Sequence, residues 1–426
     1  MNHDVSPPRR RVLILAALCH PDQGSEPGLG WNWSVQLAAH HEVTVIAGDF
    51  EGSRSAIEAR LAADPALAAR MRFEFLPWFE SSMSGLTAAA CRLYQPLYYT
   101  LYARWMRQAQ AVAERLTRDG GFDLCHQLNM IGFREPGYLW RLPMPFVWGP
   151  VGGTQNVPWA MLPSLGLIEG LRHFARNLIN EAQKRFSPRF RRALARADAV
   201  IAVASDTSRT LRRLHGVESD VIAAAFGMPH HPRARVRHPA GPLRFVYTGQ
   251  HLSRKGVPFA LHALARLDRR LSWSFDVLGK GPMTAAWRRT AIRLGIADRV
   301  TFHGFVDRER LFELLDQGDV YVFPSLLEGW PASIAEAISL GLPVVTTDHQ
   351  GMRDIVTEEC GIRAEPSSPE QLVKDLTRAF SRLIADPELV GRLSAGALRR
   401  ADELSAEREV PRILEAYERA VARHRH

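Results

Sequence analysis

The stretch DVYVFPSLLEGWPASIAEAISLGLPVV, residues 319–345, decides the fold of the second half of the chain. An apolar strand is expected to end at Phe323, and after a short loop a helix begins at Pro331. Proline suits the first helical position because its missing N–H needs no partner there. The helix is expected to end near Leu340, with Gly341 as its C-cap, before a second apolar strand. The segment is therefore a strand–helix–strand unit of a parallel sheet.

The same alternation of short apolar runs and helical patterns recurs through most of the chain. Apolar runs without polar alternation indicate parallel strands that are buried on both faces. Two series of such runs predict two doubly wound α/β domains. The expected strands begin at Val12, Glu42, Arg72, Phe122, Pro145 and Asp198 in the first series, and at Leu243, Ser274, Val300, Asp319 and Pro343 in the second.

The length of 426 residues also favours two domains, since it exceeds one ordinary core. A segment rich in proline, histidine and arginine separates the two series and is expected to be the linker. We predict an N-terminal domain over residues 1–226, the linker over 227–242, a C-terminal domain over 243–403 and a charged amphipathic helix over 404–426.

Composition and charge narrow the function classes. Hydrophobic residues make up 46% and charged residues 23%, as in a soluble globular protein. The net charge of +9 comes mostly from arginine and suits an anionic membrane or small molecule, although codon bias explains it equally well. No nucleic-acid-binding motif is present and the arginines are dispersed, so nucleic acid is not expected as a partner.

Cysteine spacing and the N-terminus predict a cytoplasmic protein. The four cysteines lack the CxxC spacing of a zinc site and do not form a disulfide framework. The apolar run Val12–Cys19 is far shorter than the roughly 20 residues that span a bilayer. It is better explained as a first strand than as a signal peptide.

Two helical segments have two interpretations each. Residues 86–116 are rich in tyrosine, and residues 169–196 are rich in arginine. The first interpretation is aromatic packing and a solvated basic face. The second is a surface for an anionic membrane or a lipid-linked acceptor, which would place the protein peripherally on the inner face of the cytoplasmic membrane.

Two glutamates in the opening stretch, Glu328 and Glu336, are separated by seven residues. The helix N-terminus between them offers N–H donors and a positive dipole end to a diphosphate. A carboxylate just before it can accept hydrogen bonds from sugar hydroxyls, and one further along can hold a ribose. The alternative for Glu328 is an acidic residue that only complements the helix dipole.

A second motif, FVYTGQHLSRKGVPF at residues 245–259, places Arg254 and Lys255 between a strand and a helix that begins near Val257. Gly249 permits a tight turn after the strand. Two adjacent cations at such a junction suit a pyrophosphate, because arginine supplies a fork of donors and lysine a point charge. The alternative is a pair of exposed cations.

The segment GSEPGLGWNW, residues 24–33, follows the first strand. Gly24, Gly28 and Gly30 would let the backbone approach a ligand, and a helix from about Gly30 would point its N-terminus at it. The spacing is not a dinucleotide fingerprint. Glu26 is a candidate polar contact in this loop.

EGWPASIAEA, at residues 328–337, resembles the E-x7-E segment of glycosyltransferase family 4, and the neighbouring motifs follow in family order from about Val12 to Tyr417. The resemblance implies a GT-B fold, in which two Rossmann-like domains face each other across a cleft and the C-terminal helix returns to the first domain. It also implies retaining transfer of a hexose from GDP-mannose or a UDP-hexose to a glycan or lipid-linked acceptor, in bacterial polysaccharide or glycoconjugate biosynthesis.

The resemblance assigns roles to individual residues. Glu328 would contact the donor hexose, Glu336 would bind the ribose, and Arg254 with Lys255 would stabilise the departing nucleoside diphosphate. Trp330 replaces a phenylalanine that is frequent in the family. The other donor-site residues that the resemblance implies are Gly24, Gly28, Gly30, Gly249, Gly279, Gly304, Phe305, Gly329, Trp330 and Pro331.

One departure concerns the first domain. Where many family members have two histidines around one residue, this chain has His126 and Leu128. His126 is then either an active-site residue or a buried histidine at the end of a strand. Other candidates for the cleft are Asn129, Arg134, Glu135 and residues 147–154.

The sequence contains no Asp-x-Asp pair, so we expect chemistry without a metal and no cofactor, the nucleotide sugar being a substrate. Two alternatives remain open. One is a nucleotide-sugar epimerase, which shares the architecture. The other is a catalytically inert subunit that binds the sugar nucleotide.

Overall fold

The computed structural model describes residues 8–79, 95–224 and 241–425. The chain divides into two compact units. The first contains Met1–Thr154, Ala182–Ala224 and Ala406–His426, and the second contains Gln155–Glu181 and Ala225–Ser405.

The helices, in chain order, are α1 Ser25–Ala38, α2 Ser53–Ala63, α3 Pro65–Ala68, α4 Gln95–Gly120, α5 Leu167–Phe186, α6 Pro188–Arg196, α7 Ser205–His215, α8 Val257–Ala265, α9 Thr284–Arg293, α10 Arg308–Asp316, α11 Ala332–Ser339, α12 Gln350–Ile355, α13 Pro369–Ala385, α14 Pro387–Glu403 and α15 Ala406–His424. Among the residues described, no helix combines the length and apolar character needed to cross a bilayer.

The first unit is built on a seven-stranded parallel sheet in the order β3-β2-β1-β4-β5-β6-β7. Its central strands are buried almost throughout, which explains their continuous apolar runs. The strands are β1 Arg11–Ala16, β2 Glu42–Asp49, β3 Met71–Pro77, β4 Leu124–Asn129, β5 Phe146–Val151, β6 Ala199–Ala202 and β7 Asp220–Val221.

Aromatic side chains fill the core of this unit. Trp78 and Trp105 meet edge to face at 5.2 Å between ring centroids, and Tyr102 on α4 is fully buried beside them. Aromatic packing is therefore the role of Tyr102 and Trp105, and the start of the predicted 86–116 segment lies outside the described residues. Helix α15 belongs to the same unit, where Glu409 accepts a hydrogen bond from the backbone N–H of Ala223.

The second unit has a six-stranded parallel sheet in the order β10-β9-β8-β11-β12-β13. In both sheets the chain reverses its direction of growth beside the first strand, between β1 and β4 and between β8 and β11. Ligands of doubly wound sheets bind at the carboxyl ends of the strands at this switch point. The strands are β8 Leu243–Thr248, β9 Trp273–Leu278, β10 Val300–Gly304, β11 Val320–Phe323, β12 Val344–Thr347 and β13 Gly361–Ala364.

Each strand expected from the sequence is present, and the doubly wound α/β class is confirmed. The strands β7 and β13 were not predicted, because they are short edge strands without an apolar run. The segment 169–196 is not one helix. Ser187 caps a new helix whose first residue is Pro188, and a proline cannot continue the preceding one.

One further difference concerns the division of the chain into units. Residues 155–181 group with the second unit, where Gln350 Nε2 donates to the Asn156 carbonyl oxygen at 2.7 Å. Nearly all of the expected linker, residues 227–242, lies outside the described residues. The domain boundaries remain a prediction in other respects. Of the cysteines, Cys19, Cys125 and Cys360 are buried and free, and Cys91 lies outside the described residues.

Candidate functional site

At the switch point of the second sheet, the loops after β8 and β11 meet. Gly256 makes this approach feasible, because its φ is +69° and a Cβ there would lie 1.9 Å from the Pro324 carbonyl oxygen. The turn Ser253–Lys255 is thereby held against the loop that carries Glu328. Gly256 was not singled out from the sequence, although a glycine directly after two cations was a usable signal.

Arg254, Lys255 and Glu328 form one hydrogen-bonded cluster. Lys255 Nζ and Arg254 Nη1 both donate to Oε1 of Glu328, at 2.7 and 2.8 Å. Ser325 Oγ donates to the same oxygen at 2.7 Å. The Lys255 and Glu328 side chains are only 12% and 13% exposed, so this charge cluster is poorly hydrated. The structure therefore brings together the residues that the two sequence motifs predicted separately.

The buried setting shifts the pKa values of these groups. Burial raises the pKa of Glu328, but the charges of Lys255 and then Arg254 outweigh it and hold the pKa below its usual value. Burial lowers the pKa of Lys255, and Glu328 opposes that shift. Glu328 is thus an ionised carboxylate at neutral pH, compensated by two cations.

Residues that the sequence did not identify hold the Glu328 loop. The backbone N–H of Glu328 donates to Gln350 Oε1 at 2.8 Å. Arg254 Nη1 also donates to the Leu327 carbonyl oxygen at 2.6 Å. Gln350 and Ser325 are therefore positioning residues, and no local motif distinguishes them from other polar loop residues.

Glu336 lies on α11, 14% exposed, and its carboxylate is 3.4 Å from Arg308 Nη1. Burial raises the pKa of Glu336, and the Arg308 charge counteracts this. The structure therefore gives Glu336 a partner other than the Arg254–Lys255 pair.

The glycines predicted around the donor lie at the carboxyl ends of three neighbouring strands. A Cβ at Gly279 would lie 2.0 Å from the Gly249 carbonyl oxygen, and the N–H of Gly279 donates to the Gly304 carbonyl oxygen at 2.7 Å. Phe305 is 74% exposed beside them, with Lys280 Nζ 5.2 Å from its ring centroid. We call Gly249, Gly279, Gly304 and Phe305 the glycine-rich rim, in which the ring of Phe305 is exposed.

The EGWP loop also touches α12. A Cβ at Gly351 would lie 1.9 Å from the carbonyl oxygen of Gly329. The indole N–H of Trp330 is buried without a hydrogen-bond partner among the described residues. Pro331 is the N-cap of α11, one residue before the helix rather than its first residue.

The first unit has a different switch point. Helix α1 begins at Ser25 rather than near Gly30, so Gly28 and Gly30 lie inside it, and Gly24 is its N-cap. A Cβ at Gly30 would lie 2.1 Å from the Leu18 carbonyl oxygen, and one at Gly28 would lie 2.3 Å from that of Gln23. The crowding comes from the protein's own backbone, so these two glycines serve helix packing, whereas Gly24 has open space around it.

Glu26 lies in the first turn of α1. Burial raises its pKa to about 7, while the N–H of Ile131 donates to Oε1 at 3.4 Å and partly offsets the shift. Oε2 is buried without a hydrogen-bond partner among the described residues. Glu26 is thus a carboxylate that can change its charge near neutral pH.

His126 is fully buried on β4, opposite Ile14 in the sheet. Nε2 donates to the Gly149 carbonyl oxygen at 2.7 Å, so Nδ1 accepts from the Tyr417 hydroxyl, also at 2.7 Å. Burial lowers the pKa of His126 to about 4. This geometry favours the buried strand histidine over the active-site residue, and its catalytic role remains a prediction.

The other candidates of the first unit are engaged or buried. Arg134 Nε donates to Gln183 Oε1 at 2.6 Å, and Glu135 pairs with Arg189 at 2.7 Å. Leu128 is 1% exposed in the core. Within the described residues, no group of three or more histidine, cysteine or carboxylate side chains could hold a metal ion.

Comparisons with known proteins agree with this arrangement. Residues 242–382 match the family model described as "Glycosyl transferases group 1". WcaL of Escherichia coli (strain K12), which is named a colanic acid biosynthesis glycosyltransferase, is 25% identical over 251 residues. This match covers 56% of the chain and 61% of WcaL, less than two thirds of that relative. The lipopolysaccharide core biosynthesis mannosyltransferase LpsB of Rhizobium meliloti (strain 1021) is 27% identical over 357 residues, 80% of the chain and 96% of LpsB.

Among solved structures, sucrose-phosphate synthase from Thermosynechococcus elongatus superposes with a TM-score of 0.66 at 18% identity. The superposition covers 97% of this chain and 100% of that protein. The likeness concerns the fold, and the GT-B class predicted from the sequence is confirmed. Assignment to family 4 in particular remains a prediction. Residues 242–382 of the second unit thus resemble the group 1 glycosyl transferases, within a chain that has the GT-B fold.

Proposed function

We propose that this protein is a glycosyltransferase that moves a hexose from a nucleoside-diphosphate sugar to a saccharide or lipid-linked acceptor in bacterial polysaccharide or glycoconjugate biosynthesis. The observation that carries the proposal is the cluster of Arg254, Lys255 and Glu328 at the carboxyl edge of the second sheet. Cytoplasmic location, peripheral membrane contact and independence from metal belong to the same proposal.

The cluster is suited to a diphosphate. Two cations share a single carboxylate, so the three groups carry a net positive charge, and the diphosphate competes with Glu328 for the donors of Arg254 and Lys255. Partial burial strengthens these contacts because little water screens them.

In the proposed reaction, the bond between the anomeric carbon of the hexose and the diphosphate oxygen breaks. Negative charge then grows on the diphosphate, where Lys255 and Arg254 stabilise it. Glu328, released from part of its pairing, accepts a hydrogen bond from a sugar hydroxyl. The acceptor oxygen bonds to the anomeric carbon on the face that the diphosphate leaves, and its proton passes to the departing diphosphate. Retention of configuration follows from the resemblance to family 4.

Glu336 and the glycine-rich rim complete the proposed donor site. Glu336 would accept hydrogen bonds from the ribose hydroxyls, and the exposed ring of Phe305 would lie near the base. GDP-mannose and UDP-hexoses both suit these groups. The name of LpsB as a mannosyltransferase favours mannose as one donor to test first.

A thermal-shift screen of UDP-, GDP- and ADP-sugars, carried out in EDTA, tests donor binding. We expect one donor to raise the melting temperature of the wild type, as any ligand does that binds only the folded state. The shift should shrink in Lys255→Ala and persist in Lys374→Ala, a change at an exposed lysine on α13. No stabilisation by any donor would contradict the proposal.

Product analysis separates the alternatives. Transfer to an added acceptor supports the proposal. Conversion of the donor to its epimer without an acceptor would identify an epimerase. Donor binding without turnover across a broad acceptor panel would identify the inert binding subunit.

A further inference from the structure

Helix α5 has its polar side buried and its apolar side exposed. The buried residues Gly170, His173, Asn177 and Asn180 recur at intervals of three and four, so they share one helix face. The opposite side exposes large apolar residues, among them Leu167 at 80%, Ile168 at 81%, Leu171 at 62%, Leu178 at 52% and Ile179 at 55%. An ordinary surface helix has the reverse orientation.

Hydrogen bonds fix this inverted orientation. Asn177 Nδ2 donates to the Val157 carbonyl oxygen at 2.8 Å. Asn180 Nδ2 donates to the Gln155 carbonyl oxygen at 3.2 Å and to Asn156 Oδ1 at 2.8 Å. Turning the helix to bury its leucines would leave these backbone carbonyls without donors, which is costly. The exposure of the apolar side is therefore built into the fold.

The exposed surface extends beyond the helix. Trp159, 48% exposed, packs edge to face on Phe174, 45% exposed, with ring centroids 5.5 Å apart. We call Trp159, Leu167, Ile168, Leu171, Phe174, Leu178 and Ile179 the apolar face. Most of the strongly exposed large apolar side chains in the described residues belong to it. Apolar patches of this kind mark interaction sites in soluble proteins.

Basic residues accompany the apolar face. Arg172, with a side chain 70% exposed, directly follows Leu171. Arg176, one turn further, is half-buried and donates to the Gln155 carbonyl oxygen at 3.2 Å. The nearest acidic residue, Glu169, accepts a hydrogen bond from Ser253 Oγ at 3.0 Å and also pairs with Arg172. Apolar, aromatic and basic side chains along one helix are the combination that binds the interface of an anionic bilayer.

We infer that the apolar face docks this protein on an anionic lipid bilayer, with the side chains of α5 inserted at the level of the headgroups. The net charge of +9 favours anionic lipid and opposes a second copy of the same chain on this surface. The biological use of this surface rests on the proposed function, since a lipid-linked acceptor lies in the membrane. The binding itself requires no catalysis.

Vesicle sedimentation of the full chain tests the inference. Large unilamellar vesicles of phosphatidylcholine are compared with vesicles that contain about one third phosphatidylglycerol. We expect the wild type to bind the anionic vesicles, less strongly at high salt and least to the neutral ones. The double variant Ile168→Glu, Leu171→Glu should lower the partition coefficient at least tenfold.

The control is Ile292→Glu, which places one glutamate, half the added charge of the double variant, on an isoleucine that is 67% exposed on α9. It should bind vesicles like the wild type. Equal loss in both variants, or no binding of the wild type to anionic vesicles, would overturn the inference. Light scattering tests the other occupant, a second copy of the chain. If the wild type self-associates, the double variant does not, and the wild type fails to bind vesicles, the surface is assigned to a second copy.

The substituted side chains are exposed, so the double variant should keep its melting temperature. It should also keep the donor-induced thermal shift. A variant that loses vesicle binding and retains that shift separates membrane docking from the proposed catalytic function.

Discussion

The two switch points of this molecule share one strand order and have opposite electrostatics. In the second unit, Glu328 is paired with Arg254 and Lys255, and these cations hold its pKa below the usual value. In the first unit, Glu26 is half-buried with one oxygen that has no partner among the described residues, and burial raises its pKa to about 7. Both carboxylates follow the first strand or its neighbour at the carboxyl edge of a parallel sheet.

This contrast separates what the topology decides from what the side chains decide. The strand order places a loop and a helix N-terminus at the same edge in both units. The adjacent cations keep Glu328 ionised at neutral pH. Glu26 has no such cations against it among the described residues, so its charge depends on pH. The fold therefore provides two equivalent positions, and the local charges distinguish them.

The largest expected effect comes from removing a cation of the second switch point. We expect Lys255→Ala to lower transfer by at least an order of magnitude, because the leaving diphosphate loses a preorganised charge, and such losses reach about 10²–10³-fold. Glu328→Ala should also lower transfer by an order of magnitude or more. Initial rates with a fixed donor and acceptor measure both effects.

Lys374→Ala provides the control for the loss of a lysine outside the cluster. Circular dichroism should show that all three variants fold. Near-normal turnover in both Lys255→Ala and Glu328→Ala would contradict the site assignment. If transfer falls in Lys255→Ala and not in Glu328→Ala, the diphosphate contact assigned to Lys255 stands and the sugar contact assigned to Glu328 is wrong.

The second-largest expected effect is on the pH dependence of the free energy of unfolding, and it comes from Glu26 at the first switch point. The pKa of Glu26 is raised in the folded state, so its contribution to stability is present below about pH 4.5 and is lost as the pH rises through about 7. Glu26→Gln removes this titration. As the pH rises from 4 to 8, the free energy of unfolding of the variant should increase by up to about 3 kcal/mol relative to that of the wild type.

Melting temperatures of wild type and Glu26→Gln across this pH range measure the gain. The variant should melt above the wild type at pH 8 and lose that advantage at pH 5. Glu58→Gln, on the exposed side of α2, is the matched control and should leave the pH dependence as it is. A constant difference between Glu26→Gln and the wild type would contradict the raised pKa.

The sequence predicted the features that depend on local pattern. Apolar runs located each long strand, and the placement of Pro331 and Gly341 located α11 to within one residue. The family resemblance placed Arg254, Lys255 and Glu328 in one donor site. Their direct pairing was not predicted, because no local rule joins residues that lie 73 and 74 positions apart. The parallel sheet brings them together, because β8 and β11 are neighbours.

The features that the sequence did not predict depend on contacts between distant segments. Gly28 and Gly30 were expected to let the backbone approach a ligand, but they lie against the carbonyl oxygens of Gln23 and Leu18, a contact that the sequence did not predict. Their role at a donor site remains a prediction. Gln350 reaches Glu328 from the first residue of α12, a contact that no spacing signals. The inverted orientation of α5 is equally non-local, since its buried asparagines donate to the carbonyl oxygens of Val157 and Gln155.

The smallest expected effect, and the sharpest test of the first unit, concerns His126. His126→Phe leaves the Tyr417 hydroxyl and the Gly149 carbonyl oxygen without their partner, which should cost about 1–3 kcal/mol at pH 7. The pKa of His126 is lowered to about 4, so the histidine's contribution to stability falls as the pH drops below about 6.5. The deficit of the variant relative to the wild type should therefore shrink at pH 5. Transfer by the folded variant decides the remaining question. Activity within a few fold of the wild type assigns His126 to the core, and loss of turnover in a stably folded variant would place it in the active site.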